Sequence, residues 1–116
     1  MAQIRLTTEA DLLLCVMYNA YKARRKNGAS REMARSFGSS KRIQAELLPQ
    51  MSIDDIDDAA RELDRNGLFR CQYADNTVYN HAEITTDGVI YMEHQFSDGV
   101  DRLLKRIGDL RKAILG

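Results

Sequence analysis

The chain of 116 residues has no tryptophan, a single proline, two cysteines and two histidines. Cys15 and Cys71 fall on elements of different kinds, with no CxxC spacing and no histidine cluster, which argues against a disulfide framework or a thiolate metal site. Both read as small buried apolar groups. No uninterrupted apolar run approaches the length of a membrane span, and the opening MAQIRLTTEADLLL lacks the basic-then-apolar order of a signal peptide. A single soluble domain, cytoplasmic in location, is therefore expected, long enough to bury one core without metal or disulfides.

Catalytic motifs are missing too. There is no Gly-rich phosphate loop after a strand and no nucleophile elbow, and the pairs Asp54-Asp55 and Asp57-Asp58 lack the glycine and spacing of a calcium loop. His81 and Glu83 could share one strand face as two metal ligands, but no third is evident, and His94 lies on another element. No enzyme, metal or cofactor is expected.

Formal charge sums to zero, but it is divided unevenly. Residues 1–50 carry nine Lys/Arg against four acids, residues 51–99 three against eleven, and residues 100–116 five against two. Local fields of opposite sign steer different partners, so this division says more than the net value.

The most structured stretch is residues 40–69, SKRIQAELLPQMSIDDIDDAARELDRNGLF. Ser52 can cap a helix, with Asp55 supplying the acidic group of a capping box. Ile53, Ile56, Ala60 and Leu63 recur at helical spacing, and Asn66-Gly67 ends the run, since Gly accepts the left-handed conformation of a C-terminal cap. Before it, Ile43, Leu47 and Leu48 make a short one-sided helix that Pro49 stops. A helix-turn-helix follows over residues 40–66.

Thr7 or Thr8 caps a first helix over residues 7–27, whose Ala10, Leu13, Leu14, Met17 and Tyr21, with Val16 and Ala20 beside them, form a broad core face. Its basic end, Lys22 to Lys26, suits the helix dipole. Residues 28–39 read as an insertion: Ser30 caps one turn carrying Met33, Ala34 and Phe37, and Gly38-Ser39-Ser40 breaks it, leaving a mobile end. Ala34 and Gly38 imitate the start of a simple helix-turn-helix, but Gln44 stands where that pattern wants a β-branched apolar group. Strands over 68–73 and 77–85, joined at Ala74-Asp75-Asn76, form an antiparallel hairpin, and Tyr73, Tyr79, Tyr91 and Phe69 read as packing aromatics in preference to base-stacking ones. Residues 86–115 hold two helices, the first capped by Thr85 or Thr86 and the second by Ser97 or Asp98.

In the last helix Val100, Leu103, Ile107, Leu110 and Ile114 alternate at spacings of three and four, and Leu104 and Leu115 widen the stripe. Two readings stand: a helix packed on its own domain, and the seam of a homodimer.

Helix, turn, helix, glycine and hairpin, followed by EITTDGVIYMEH and an amphipathic terminal helix, resemble the YjcQ-like winged-helix proteins of Firmicutes and their phages, and more loosely bacterial winged-helix regulators. The resemblance covers about residues 40–115 and implies a mainly helical α+β fold: a winged helix-turn-helix with a two-stranded wing and an extra C-terminal helix. The function it implies is that of a small prokaryotic or phage transcriptional regulator binding DNA. Lys41, Arg42, Arg61, Arg65 and Arg70, assisted by Arg31 and Arg35, would meet the phosphates. Against this, the outward face of the second helix, Asp54, Asp55, Asp58, Arg61, Glu62 and Arg65, is net negative where bases are normally read. The competing reading is a protein-interaction module that docks Asp54, Asp55, Asp58 and Glu62 on a basic partner and does not bind DNA.

Overall fold

Helices begin where a hydroxyl is on hand. Thr7, Ser30, Ser39, Ser52 and Thr85 each accept a hydrogen bond from the backbone N–H three residues on, those of Ala10, Met33, Arg42, Asp55 and Gly88, satisfying donors a helix start otherwise leaves open. The computed structural model describes residues 4–74, 78–97 and 99–115. Within them the order is α1 (Thr8–Lys26), α2 (Arg31–Arg35), β1 (Ser36–Gly38), α3 (Ser40–Glu46), α4 (Ile53–Arg65), β2 (Phe69–Ala74), β3 (Val78–Ile84), α5 (Thr86–Gln95) and α6 (Val100–Leu115). The expected turn residues Asp75 and Asn76, the expected first strand residue Thr77 and the alternative cap Asp98 lie outside the described residues, as does the side chain of Tyr79.

The α1 helix is the centre of the fold: α4, α6, α2 and α5 all pack on it, and its run from Leu12 to Tyr18 is buried without a break. An amphipathic helix shows one wet face; a helix covered on all sides does not. The turn between α3 and α4 is fixed by Leu48 and Met51, both buried, and by the Gln44 side-chain amide, which donates to the Met51 carbonyl at 2.7 Å. At the end of α4, Gly67 takes φ +75°, so that the Leu68 N–H reaches back to the Leu63 carbonyl at 3.0 Å and Leu68 and Phe69 turn into the core.

The sheet is antiparallel with strand order β1-β3-β2. The expected hairpin is present as β2 and β3, but the two-stranded wing is corrected to a three-stranded sheet. Ser36 and Gly38 pair with Glu83 and Ala82, so the stretch read as the loose end of an insertion is an edge strand with Phe37 buried beneath it. Arg24 holds it in place, donating to the Ser36 carbonyl at 2.8 Å with its guanidinium 4.2 Å from the Phe37 ring centre. The layout, mainly helical α+β with a small sheet, is compatible with a winged-helix-like arrangement.

Of the two readings of the last helix, the one packed on its own domain describes most of the stripe. The α6 helix packs on α1, burying Leu103 and Ile107, with Leu110 and Ile114 partly buried on the same core; Val100 is exposed. Arg106 donates to both carboxylate oxygens of Asp11 and ties the two helices at their polar edge. The stripe of α6 is used inside its own chain.

Candidate nucleic-acid interface

The α4 helix buries Ile56, Asp57, Ala59, Ala60 and Leu63. Ile53, expected inward with them, is only half-buried, because it opens the helix at the rim. Asp57, which the outward face left out, is 3 % exposed, and its Oδ1 has no hydrogen-bond partner among the described residues. Asp54, Asp55 and Asp58 remain open to solvent at the N-terminal half, and Arg61 and Arg65 follow at the other end, with Arg61 3.9 Å from Asp58.

Glu62 departs from the expected outward face. Its carboxylate accepts from the Thr7 N–H and the Thr7 hydroxyl, each at 2.7 Å, and so closes the N-terminus of α1. A residue so engaged is a structural clamp between α4 and α1.

Lys41 and Arg42 are exposed on the first turn of α3, where Arg42 also forms an i,i+4 pair with Glu46 at 3.1 Å. Across α3 and α4, then, Lys41, Arg42, Arg61 and Arg65 stand against Glu46, Asp54, Asp55 and Asp58, with Glu62 and Asp64 also half-buried on α4. Arg70 sits at the root of the hairpin, 3.6 Å from Glu83. Among the described residues no group of three His, Cys, Asp or Glu is placed to hold a metal.

Arg35 and Arg70 come together in a cleft of about 350 Å³ with Asp64, Glu83 and Asp87, where Arg35 donates to the Thr86 hydroxyl at 3.1 Å. Arg31 lies elsewhere. It lines a larger cleft, about 510 Å³, between α1 and α5, with Tyr18, Tyr21, Lys22, Arg25 and Glu93. Sequence reasoning assigned Lys22 and Arg25 to the helix dipole alone and so missed this cleft; the signal available was the spacing of Tyr18, Tyr21, Lys22 and Arg25, which puts four polar-tipped side chains on one face of α1.

Both thiols are held toward the protonated form. Burial, followed by the charge of Asp11, pushes the Cys15 thiol up to about 12, and burial, followed by Asp64 and Asp57, pushes Cys71 up to about 12. No helix among the described residues is long and apolar enough to cross a membrane. Comparison with protein-family models, with curated proteins and with solved structures finds no match to this chain.

Proposed function

We propose that this chain is a non-enzymatic winged-helix protein of the YjcQ-like kind that binds double-stranded DNA through its phosphates, as a small prokaryotic or phage transcriptional regulator. The observation that carries the reading is the succession of α3, a fixed turn, α4 and the β2–β3 hairpin, with β1 closing on β3. In that layout α4 is the element that enters a groove, α3 crosses the backbone and the hairpin lies alongside. Lys41 and Arg42 meet one strand, Arg61 and Arg65 the other, and Arg70 follows the hairpin, with Arg35 beside it. The open carboxylates Asp54, Asp55 and Asp58 oppose close reading of bases, so recognition rests on backbone contact and groove shape.

A mobility-shift titration on mixed-sequence duplex tests this. Five cations on five phosphates (Lys41, Arg42, Arg61, Arg65 and Arg70) give a slope of log affinity against log salt of about −4.5, at about −0.9 per phosphate. Lys41→Ala with Arg42→Ala reduces that slope by about 2. No retardation at low salt refutes the reading.

The exposed acids at the start of α4 favour a second reading, in which that helix docks a basic protein surface and the fold makes no nucleic-acid contact. Its contact set is Asp54, Asp55, Asp58 and Glu62, the last also bonded to Thr7. Under it, Asp54→Asn with Asp55→Asn abolishes partner binding, whereas under the first reading the same change tightens DNA binding.

A further inference from the structure

The cleft between α1, α2 and α5 is a concave surface where positive charge prevails. Lys22, Arg25 and Arg31 line its wider part, about 510 Å³, and Arg31 and Arg35 line a contiguous part of about 260 Å³ floored by Val89 and Ile90. The one acid among the lining residues of either part is Glu93. The α1 cations are held apart: Lys22 stands 5.6 Å over the Tyr18 ring, and Arg25 donates to the Ala29 carbonyl at 3.0 Å. Ile90 is exposed at 45 %, an apolar floor for something that also carries negative charge.

We infer that this cleft receives the acidic first half of α4 from a second copy of the chain. The complementary group is on the same sequence: Asp54, Asp55 and Asp58 lie open on a helix, and arginine guanidinium groups pair with carboxylates in a fork that fixes direction as well as charge. A helix laid in a groove between helices is a recurrent mode of recognition. Because every copy carries one cleft and one acidic helix, a two-fold pair satisfies both at once, and a pair that does not close extends into a chain. Nucleic acid is the poorer occupant. Tyr18 and Phe96 are 3 % and 7 % exposed and Tyr21 is half-buried with its ring stacked on Tyr18, so little aromatic face is left for a base, and Glu93 lies among the cations.

This association uses a different surface from the α6 stripe and does not require the DNA reading to hold. It does cover the helix that carries Arg61 and Arg65, so pairing and duplex binding would exclude each other.

The test is sedimentation of the purified full chain from micromolar to several hundred micromolar, at about 20 mM and about 300 mM salt, where screening lengths differ several-fold. The expected result is a mass that rises with concentration at low salt and returns to the monomer at high salt. Arg25→Glu with Arg31→Glu, and separately Asp54→Lys with Asp58→Lys, each remain monomeric, and mixing the two variants restores association between them. Asp54→Asn with Asp58→Asn serves as the variant least able to disturb α4, and circular dichroism verifies that every variant is folded. A wild-type chain that is monomeric throughout overturns the inference. So does association that survives reversal of the cleft, or loss of duplex binding in the Arg25→Glu, Arg31→Glu chain with no self-association to lose, which would make the cleft a nucleic-acid contact.

Discussion

Replacing Gly88 by alanine unseats the start of α5 from the root of the hairpin. A Cβ at that position stands 2.4 Å from the Leu68 carbonyl oxygen and 2.9 Å from Ile84 Cγ1. An ordinary carbon–oxygen approach is about 3.3 Å, so the helix must retreat by nearly an ångström. The Leu68 carbonyl cannot swing aside freely, because it accepts from the Thr85 N–H at 2.9 Å. Overpacking of this kind costs about 1–3 kcal/mol, and loss of the Thr85 bond adds about 1 kcal/mol. Alanine's better helix propensity returns about 1 kcal/mol. Gly88→Ala is therefore destabilised by about 2 kcal/mol, which lowers Tm by about 8 °C for a domain of this size. Gly108 is the control: it lies inside α6 with nothing within 4 Å of its would-be Cβ, so Gly108→Ala stabilises by up to about 1 kcal/mol. Thermal and urea unfolding followed by circular dichroism read both. If Gly88→Ala is as stable as the parent, the close approach of α5 to Leu68 is wrong.

Two further outcomes are expected. Leu103→Lys places a charge against α1 and fails to fold or melts far below the parent, while Leu104→Lys, one residue on and 48 % exposed, changes stability by less than about 0.5 kcal/mol; equal effects would return the α6 stripe to a dimer seam. Cys15 is held protonated to about 12 in the folded chain, above an unfolded thiol, so folding binds the proton more tightly and stability declines as pH rises from about 9 toward 12. In Cys15→Ala that decline becomes shallower than in the parent, as urea midpoints between pH 8 and 11 would record.

Much of the fold was legible because its punctuation is local. Ser52, Thr85 and Thr7 cap helices by chemistry contained in four residues, and Gly67 ends α4 by a dihedral that needs no knowledge of the rest of the chain. The β1 strand was not legible for the opposite reason. Ser36-Phe37-Gly38 is too short to show alternation, and it is a strand only because Glu83 and Ala82, more than forty residues later, supply its partners. The same limit governs the candidate surfaces. A helical projection places Glu62 outward beside Asp58, and only the arrival of Thr7 from α1 engages its carboxylate and leaves it half-buried. Amphipathic spacing in α6 correctly marks a buried stripe but is silent on whether its cover is α1 or another molecule. Lys22, Arg25 and Arg31 are each unremarkable in sequence, and become a group when α2 folds against α1.

The short β1 strand has a further effect, on the fate of the sheet's margins. A strand of three residues whose pairing register shifts between Ser36 and Gly38 is a poor template for a foreign strand. The opposite margin, β2, is longer and regular from Phe69 to Gln72, and carries Arg70 outward. Strand addition and runaway stacking, the ordinary hazards of a small open sheet, are thus confined to one side, where a single charged side chain keeps watch.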